Sequence, residues 1–147
     1  MRSALRRVST VTPFLVSSRQ LSSQTSDMAK AKDIVDGIIQ GNNIAVFSAT
    51  YCPYCSSVKA LLNSLPIVKS GKASIQVLET DEHDQDKDIR AIIRERTKKS
   101  TVPQVFINGK AVGGCDDTTA LHSKGKLVPL IEEGIKQKTK DDKKSPS

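Results

Sequence analysis

The stretch from Ile44 to Cys55 constrains this chain more than any other part of it. Ile44-Ala45-Val46-Phe47 is a short apolar run of the kind that forms a strand buried on both faces. After four intervening residues, Cys52-Pro53 opens an amphipathic pattern in which Val58, Leu61, Leu62 and Leu65 line one face. Proline is well tolerated in a first helical turn. The spacing therefore predicts a strand that hands over directly to a helix, with a C-x-x-C pair (Cys52 and Cys55) at the helix start.

The rest of the pattern builds this pair of elements into one α/β unit. Ala31, Ile34, Val35, Ile38 and Ile39 recur at helical spacing and stop at Gly41. Pro66 and Ser70-Gly71 are expected to break the second helix. Ser74 to Leu78 reads as a second strand, an acidic loop follows from Glu79 to Asp88, and a third helix carries Ile89, Ile92 and Ile93. Val105-Phe106-Ile107 and Lys110-Ala111-Val112 flank Asn108-Gly109, a pair suited to the positive φ angles of a type I′ turn. Gly113-Gly114 ends that hairpin, and two short helices follow, the latter with Leu127, Leu130, Ile131 and Ile135. The order is α-β-α-β-α-β-β-α-α. The first two strands flank a helix, so they should be parallel with a right-handed crossover, and the last two form an antiparallel hairpin. One four-stranded mixed β-sheet with helices on both faces is the economical packing.

Charge divides the chain into a domain and two ends. The 147 residues hold 23 Lys and Arg against 16 Asp and Glu, a net charge of +7. Residues 1–26 hold four Arg and no acid, while residues 136–147 hold five Lys and two Asp. The segment between is neutral. A nucleic-acid-binding domain would concentrate basic residues on its folded part, with aromatics for stacking. Here the excess lies at the ends, and only Phe47, Tyr51, Tyr54 and Phe106 are aromatic between them, so no nucleic acid is expected as a partner. No apolar run approaches the ~18–20 residues of a membrane-spanning helix, so no membrane insertion is expected. The expected organisation is an address in residues 1–27, a domain in 28–135 and a disordered basic tail in 136–147. The address is rich in Arg and Ser, and Leu5, Val8, Thr12 and Leu15 fall near helical spacing opposite Arg2 and Arg6. That is the composition of a mitochondrial transit peptide. Arg19-Gln20-Leu21-Ser22-Ser23 is similar to a matrix-processing pattern, and a chain starting at Met28 would be a cytosolic form without the address.

Three Cys are too few for a secreted disulfide framework. A structural zinc site would need four ligands, and no second C-x-x-C or H-x₃₋₅-H occurs, so no metal is expected. Placement of Cys52 at a helix N-terminus favours its thiolate, through unpaired N–H groups and the helix dipole. Thiolate is the attacking species in thiol–disulfide exchange. Cys55, one turn on, is close enough to resolve a mixed disulfide. Thr101-Val102-Pro103 begins the third strand, where a proline is normally tolerated.

Tyr51-Cys52-Pro53-Tyr54-Cys55, Thr101-Val102-Pro103-Gln104-Val105-Phe106-Ile107 and Gly113-Gly114-Cys115-Asp116-Asp117 occur in order over residues 30–135. Together they resemble the dithiol glutaredoxins of the thioredoxin superfamily. Thioredoxins proper carry W-C-G-P-C, and this chain has no Trp. The resemblance implies a thioredoxin-like fold with Pro103 in cis opposite the dithiol, and a glutathione-dependent oxidoreductase acting as a monomer on glutathionylated or disulfide-containing proteins. It implies Cys52 as nucleophile, Cys55 as resolving thiol, and glutathione held by Tyr54, Arg90, Thr101, Val102, Pro103, Cys115 and Asp116. Asp116 also suits the N-cap of the following helix. The family lysine three residues before the first Cys is Ala49 here, and the Arg often preceding T-V-P is Ser100; Arg90, Lys98 and Lys99 are the cations left to meet a glycyl carboxylate. The alternative is a glutathione-assisted [2Fe–2S] cluster-binding carrier, a role closer to monothiol relatives, against which Cys55 and Pro53 argue. For the address, residues 1–26 fused to a reporter should carry it into mitochondria, and Arg6→Glu with Arg7→Glu should stop that. A reporter left in the cytosol by the intact segment would refute the targeting reading.

Overall fold

The computed structural model describes the backbone of residues 12–144 and the side chains of residues 25–140. Its elements are α1 (Thr12–Gly41), β1 (Ile44–Ser48), α2 (Pro53–Ser64), α3 (Pro66–Lys69), β2 (Ile75–Glu79), a 3₁₀ turn (Thr80–Glu82), α4 (Asp86–Thr97), β3 (Gln104–Ile107), β4 (Lys110–Gly113), α5 (Cys115–Ser123) and α6 (Leu127–Lys144). The strands form one sheet in the order β2-β1-β3-β4. β1 pairs parallel with β2 across α2, antiparallel with β3, and β3 pairs antiparallel with β4, which is the mixed sheet expected.

Period-two alternation divides the core into two layers. Ile44 and Val46 of β1 and Val105 and Ile107 of β3 face one side, under Val58 and Leu62 of α2 and Leu127 and Ile131 of α6. Ala45, Phe47 and Phe106 face the other, under Val35 and Ile38 of α1 and Ile89 and Ile93 of α4. Phe47 and Phe106 meet edge to face, with ring centroids 5.6 Å apart, a geometry that contributes about 0.5–1.5 kcal/mol beyond area burial. All five β1 side chains are buried because this strand is central and covered on both faces. At the hairpin, Asn108 and Gly109 take φ values of 52° and 83°, as the Asn-Gly pair requires. Among the described residues no helix is long and apolar enough to cross a membrane.

Three elements depart from the sequence reading. α1 begins at Thr12, well before Ala31, so Met28 lies inside a helix rather than ahead of one. No Gly or Pro occurs between Pro13 and Gly37 to interrupt it. The first eleven residues of the expected address lie outside the described residues. α6 likewise runs on to Lys144, through most of the segment expected to be a disordered tail. Pro66 ends α2 only locally. Leu65 is extended, at φ −63° and ψ 132°, and Pro66 then opens the single turn of α3, where a missing N–H costs nothing.

Asn108 also closes the sheet onto α6. Its amide donates to Leu130 O at 2.8 Å, and its side chain sits where a Cβ on Gly134 would be, 1.9 Å from the Asn108 Cγ. Alanine ordinarily stabilises an interior helix position by up to ~1 kcal/mol over glycine. Here Gly134→Ala should displace Asn108 and break its bond to α6, for a net loss of about 1–2 kcal/mol in urea unfolding. An unchanged or higher midpoint would contradict this packing.

Candidate active site

The dithiol is set by the handover from β1 to α2. Cys52 is the α2 N-cap, in extended conformation at φ −96° and ψ 116°, with Pro53 in the first turn. Its N–H donates to Ala49 O at 3.1 Å, which folds the linking loop into a tight turn. Its thiol donates to the Val102 carbonyl across the site at 3.8 Å. Val102-Pro103 is a cis peptide, as the resemblance implied. Cys52 retains 9% of its surface, whereas Cys55 retains none. Both are reduced, and with Ala49 and Val102 they make a small apolar cluster. Burial above all, opposed in part by the N–H of Ala49 and aided by the nearby Cys52 and Glu79, pushes the Cys55 thiol up to about 11. The pair is therefore chemically unequal. Cys52 keeps a small exposed surface at the start of α2, while Cys55 is held as a neutral thiol at ordinary pH.

The linking loop is pinned from the acidic segment. Thr50 donates its N–H to Asp81 at 3.0 Å and its hydroxyl to the same carboxylate, and these bonds, the hydroxyl's first, hold that carboxyl below its usual range. Arg90 donates to Asp86 at 2.6 Å and to the Tyr51 hydroxyl at 3.2 Å. Tyr51 and Tyr54, on either side of Cys52, are 68% and 63% exposed.

A cleft of about 300 Å³ is lined by Val102, whose carbonyl accepts the Cys52 thiol, although neither Cys52 nor Cys55 itself lines it. One wall is Thr101, Val102 and Pro103, the opposite wall is Cys115 and Asp116 at the start of α5, and Tyr54 lies at one end. Six of the seven residues expected to bind glutathione thus converge. Arg90 does not line this cleft but stands by Tyr51, on the side of the acidic segment. Ala49, where the family lysine would be, is buried against the two cysteines.

Of the four further lining residues, Lys99 was a candidate cation from sequence, and Gln104, Gly114 and Asp117 were assigned no site role. Lys99 spans the mouth to Asp117 at 3.2 Å, and this contact, with the Gly114 N–H, holds the Asp117 carboxyl below its usual range. Asp116 is not the N-cap expected. Gly114 occupies that position, Cys115 starts the helix, and the carboxylate that reaches back to the Gly114 N–H, at 3.4 Å, is Asp117. The adjacency of two Asp after Gly-Gly made either one eligible. Asp116 is left exposed on the cleft wall. Gln104 is buried, its amide donating to Thr101 O at 2.6 Å, so it braces the turn before the cis proline. Nothing in a strand pattern marks a buried Gln for that task. Gly114 faces Pro103 O, which would lie 3.3 Å from an added Cβ, so the cleft is as wide as this glycine leaves it. The described residues include no group of three His, Cys, Asp or Glu arranged to hold a metal ion.

This geometry agrees with the relatives found by comparison. The glutaredoxin family profile matches residues 44–112. A glutaredoxin of Solanum lycopersicum is 49% identical over 106 residues, covering 72% of this chain and 89% of that one. One from Vernicia fordii is 45% identical over 106 residues, covering 72% and 92%. Buckwheat glutaredoxin, solved as a complex with glutathione, superposes with a TM-score of 0.64 at 38% identity, covering 74% of this chain and 94% of that one. Wheat glutaredoxin superposes at 0.60 with 42% identity, covering 76% and 97%. With its dithiol, cis proline and cleft in this arrangement, the chain belongs to the glutaredoxin family.

Proposed function

We propose that this glutaredoxin, a thiol–disulfide oxidoreductase, reduces protein–glutathione mixed disulfides through Cys52 alone and protein disulfides through Cys52 and Cys55 together. The observation that carries this reading is the inequality of the two thiols. Cys52 sits at a helix N-cap with its thiol against Val102 of the cleft wall, and Cys55 is fully buried behind it. In the one-thiol reaction the Cys52 thiolate attacks the glutathione sulfur of a mixed disulfide, and the protein leaves as thiolate. A second glutathione then attacks that adduct, releasing Cys52 and oxidised glutathione. In the two-thiol reaction Cys55 displaces a protein sulfur from Cys52 and leaves an intramolecular disulfide.

Glutathione is the ligand this cleft suits, and the buckwheat relative was solved with it. The Val102 backbone lies beside Cys52 and offers the extended edge that a cysteinyl residue would pair with. Asp116 and the first N–H groups of α5 suit the γ-glutamyl end. For the glycyl carboxylate, Arg90 retains donors beyond those given to Asp86 and Tyr51, and Lys99 stands at the other rim.

Two sets of variants test this. Cys52→Ser should abolish both reactions. Cys55→Ser should keep the one-thiol reaction on a small glutathione mixed disulfide and lose the reduction of intramolecular protein disulfides. Equal inactivity of both variants on the small substrate would refute the one-thiol mechanism. Gly114→Val should narrow the cleft against Pro103 O, raising the KM for a glutathione mixed disulfide about tenfold, equivalent to about 1.4 kcal/mol of overpacking. Its Cys52 should alkylate at nearly the wild-type rate. An unchanged KM would show that glutathione does not occupy this cleft.

A further inference from the structure

Behind the dithiol, at the end of the sheet, lies an ion pair that the steps above do not use. Ser48 and Glu79 are register partners at the ends of parallel β1 and β2. Ser48 is fully buried and donates its hydroxyl to one Glu79 oxygen. Lys59 holds the other oxygen, at 2.5 Å. Lys59 is four residues after Cys55 on α2, hence on the same helix face one turn along. Both charges are largely covered, with 27% and 21% of their side-chain surface exposed, so solvent screens them only in part. Ser48 is also bonded in sequence to Ala49, which packs against both cysteines. The carboxylate is thus tied on one side to the strand end under the dithiol and on the other to the helix that carries Cys55.

We propose that the Lys59–Glu79 ion pair governs the attack of Cys55 on the Cys52 mixed disulfide, making both residues positioning residues for the two-thiol reaction. This rests on the two-thiol reading given above. In that step a bond forms between the sulfurs of Cys55 and Cys52, and the bond from Cys52 to the substrate sulfur breaks. The substrate leaves with the electron pair as a thiolate and takes up the proton that Cys55 loses. Cys55 must therefore develop negative charge in a site with no water beside it. Cys52, being part of the mixed disulfide, carries no charge at this stage, so Glu79 is the charge that opposes this. α3, packed on α2, carries Lys69. α5, also packed on α2, carries Cys115, Asp116, Asp117 and His122, with Asp117 engaged by Lys99. Lys59 offsets the Glu79 charge. Without Lys59 the bare carboxylate keeps Cys55 protonated, and without Glu79 the lysine eases its ionisation.

The test isolates Cys55 as the lone thiol, in a Cys52→Ser, Cys115→Ser chain, and follows its alkylation by iodoacetamide between about pH 7 and 10. Lys59→Met should slow alkylation at each pH by roughly three- to tenfold, and Glu79→Gln should speed it by a similar factor, since thiolate fraction changes tenfold per unit of pKa. The double variant should return close to the parent, because the charges cancel. In chains with all three cysteines, the ratio of two-thiol to one-thiol turnover should follow the same order. A purely structural role would make the double variant at least as impaired as Lys59→Met, and that result would overturn the proposal. If Lys59→Met does not fold, Glu79→Gln decides alone: faster alkylation supports the coupling and an unchanged rate overturns it. Alkylation needs no glutathione, so loss of the glutathione reading itself would show instead as absent turnover by the wild-type chain.

Discussion

β1 hydrogen-bonds to β2 on one side and β3 on the other, is buried on both faces, and ends at Ser48. Everything at the site is placed by what leaves that end. Four residues on, α2 begins with Cys52 as its N-cap, so the nucleophile sits over the central strand, where its position is fixed from both sides. The β2 end supplies Glu79 and then Asp81, which pins the linking loop through Thr50. The approach to β3 supplies Val102, whose carbonyl accepts the Cys52 thiol. A shift of one residue in the β1 register would send Phe47 into the opposite core layer and move the α2 N-terminus away from all three neighbours.

That placement makes two chemically similar side chains unequal. Three positions along α2 separate a sulfur with solvent before it from one with none. Burial of Cys55 costs it ionisation, and its pair of roles follows: inert until a neighbouring disulfide is presented, then confined to attacking that disulfide. The cleft adds selectivity by shape. Its two walls, at Thr101–Pro103 and at the start of α5, are kept apart by Gly114, and the Lys99–Asp117 pair bridges its mouth.

The sequence carried the parts of this arrangement that are local. Asn108-Gly109 specifies its turn by φ alone, and Cys52-Pro53 specifies a helix start by proline chemistry, so both were legible. The mixed sheet followed from which strands flank a helix and which flank a turn. Helix ends were less legible. α1 and α6 extend through mainly polar stretches in which no proline follows the first turn, and there periodicity marks no clear helix end. Least legible were contacts made only by tertiary approach. Lys59 and Glu79 are 20 residues apart on different elements and read singly as solvated charges. Gln104 read as one more strand residue, and Asp116 and Asp117 could not be told apart until the start of α5 was fixed at Cys115.

The central claim is that one sulfur, Cys52, receives glutathione. The direct measurement is to mix the reduced wild-type chain briefly with oxidised glutathione, quench in acid, and locate the glutathione adduct by peptide mass spectrometry. The account predicts an adduct on Cys52 that gives way with time to a Cys52–Cys55 disulfide, and in the Cys55→Ser chain an adduct on Cys52 that persists. First appearance of the adduct on Cys55 or Cys115, with Cys52 unmodified, would contradict it.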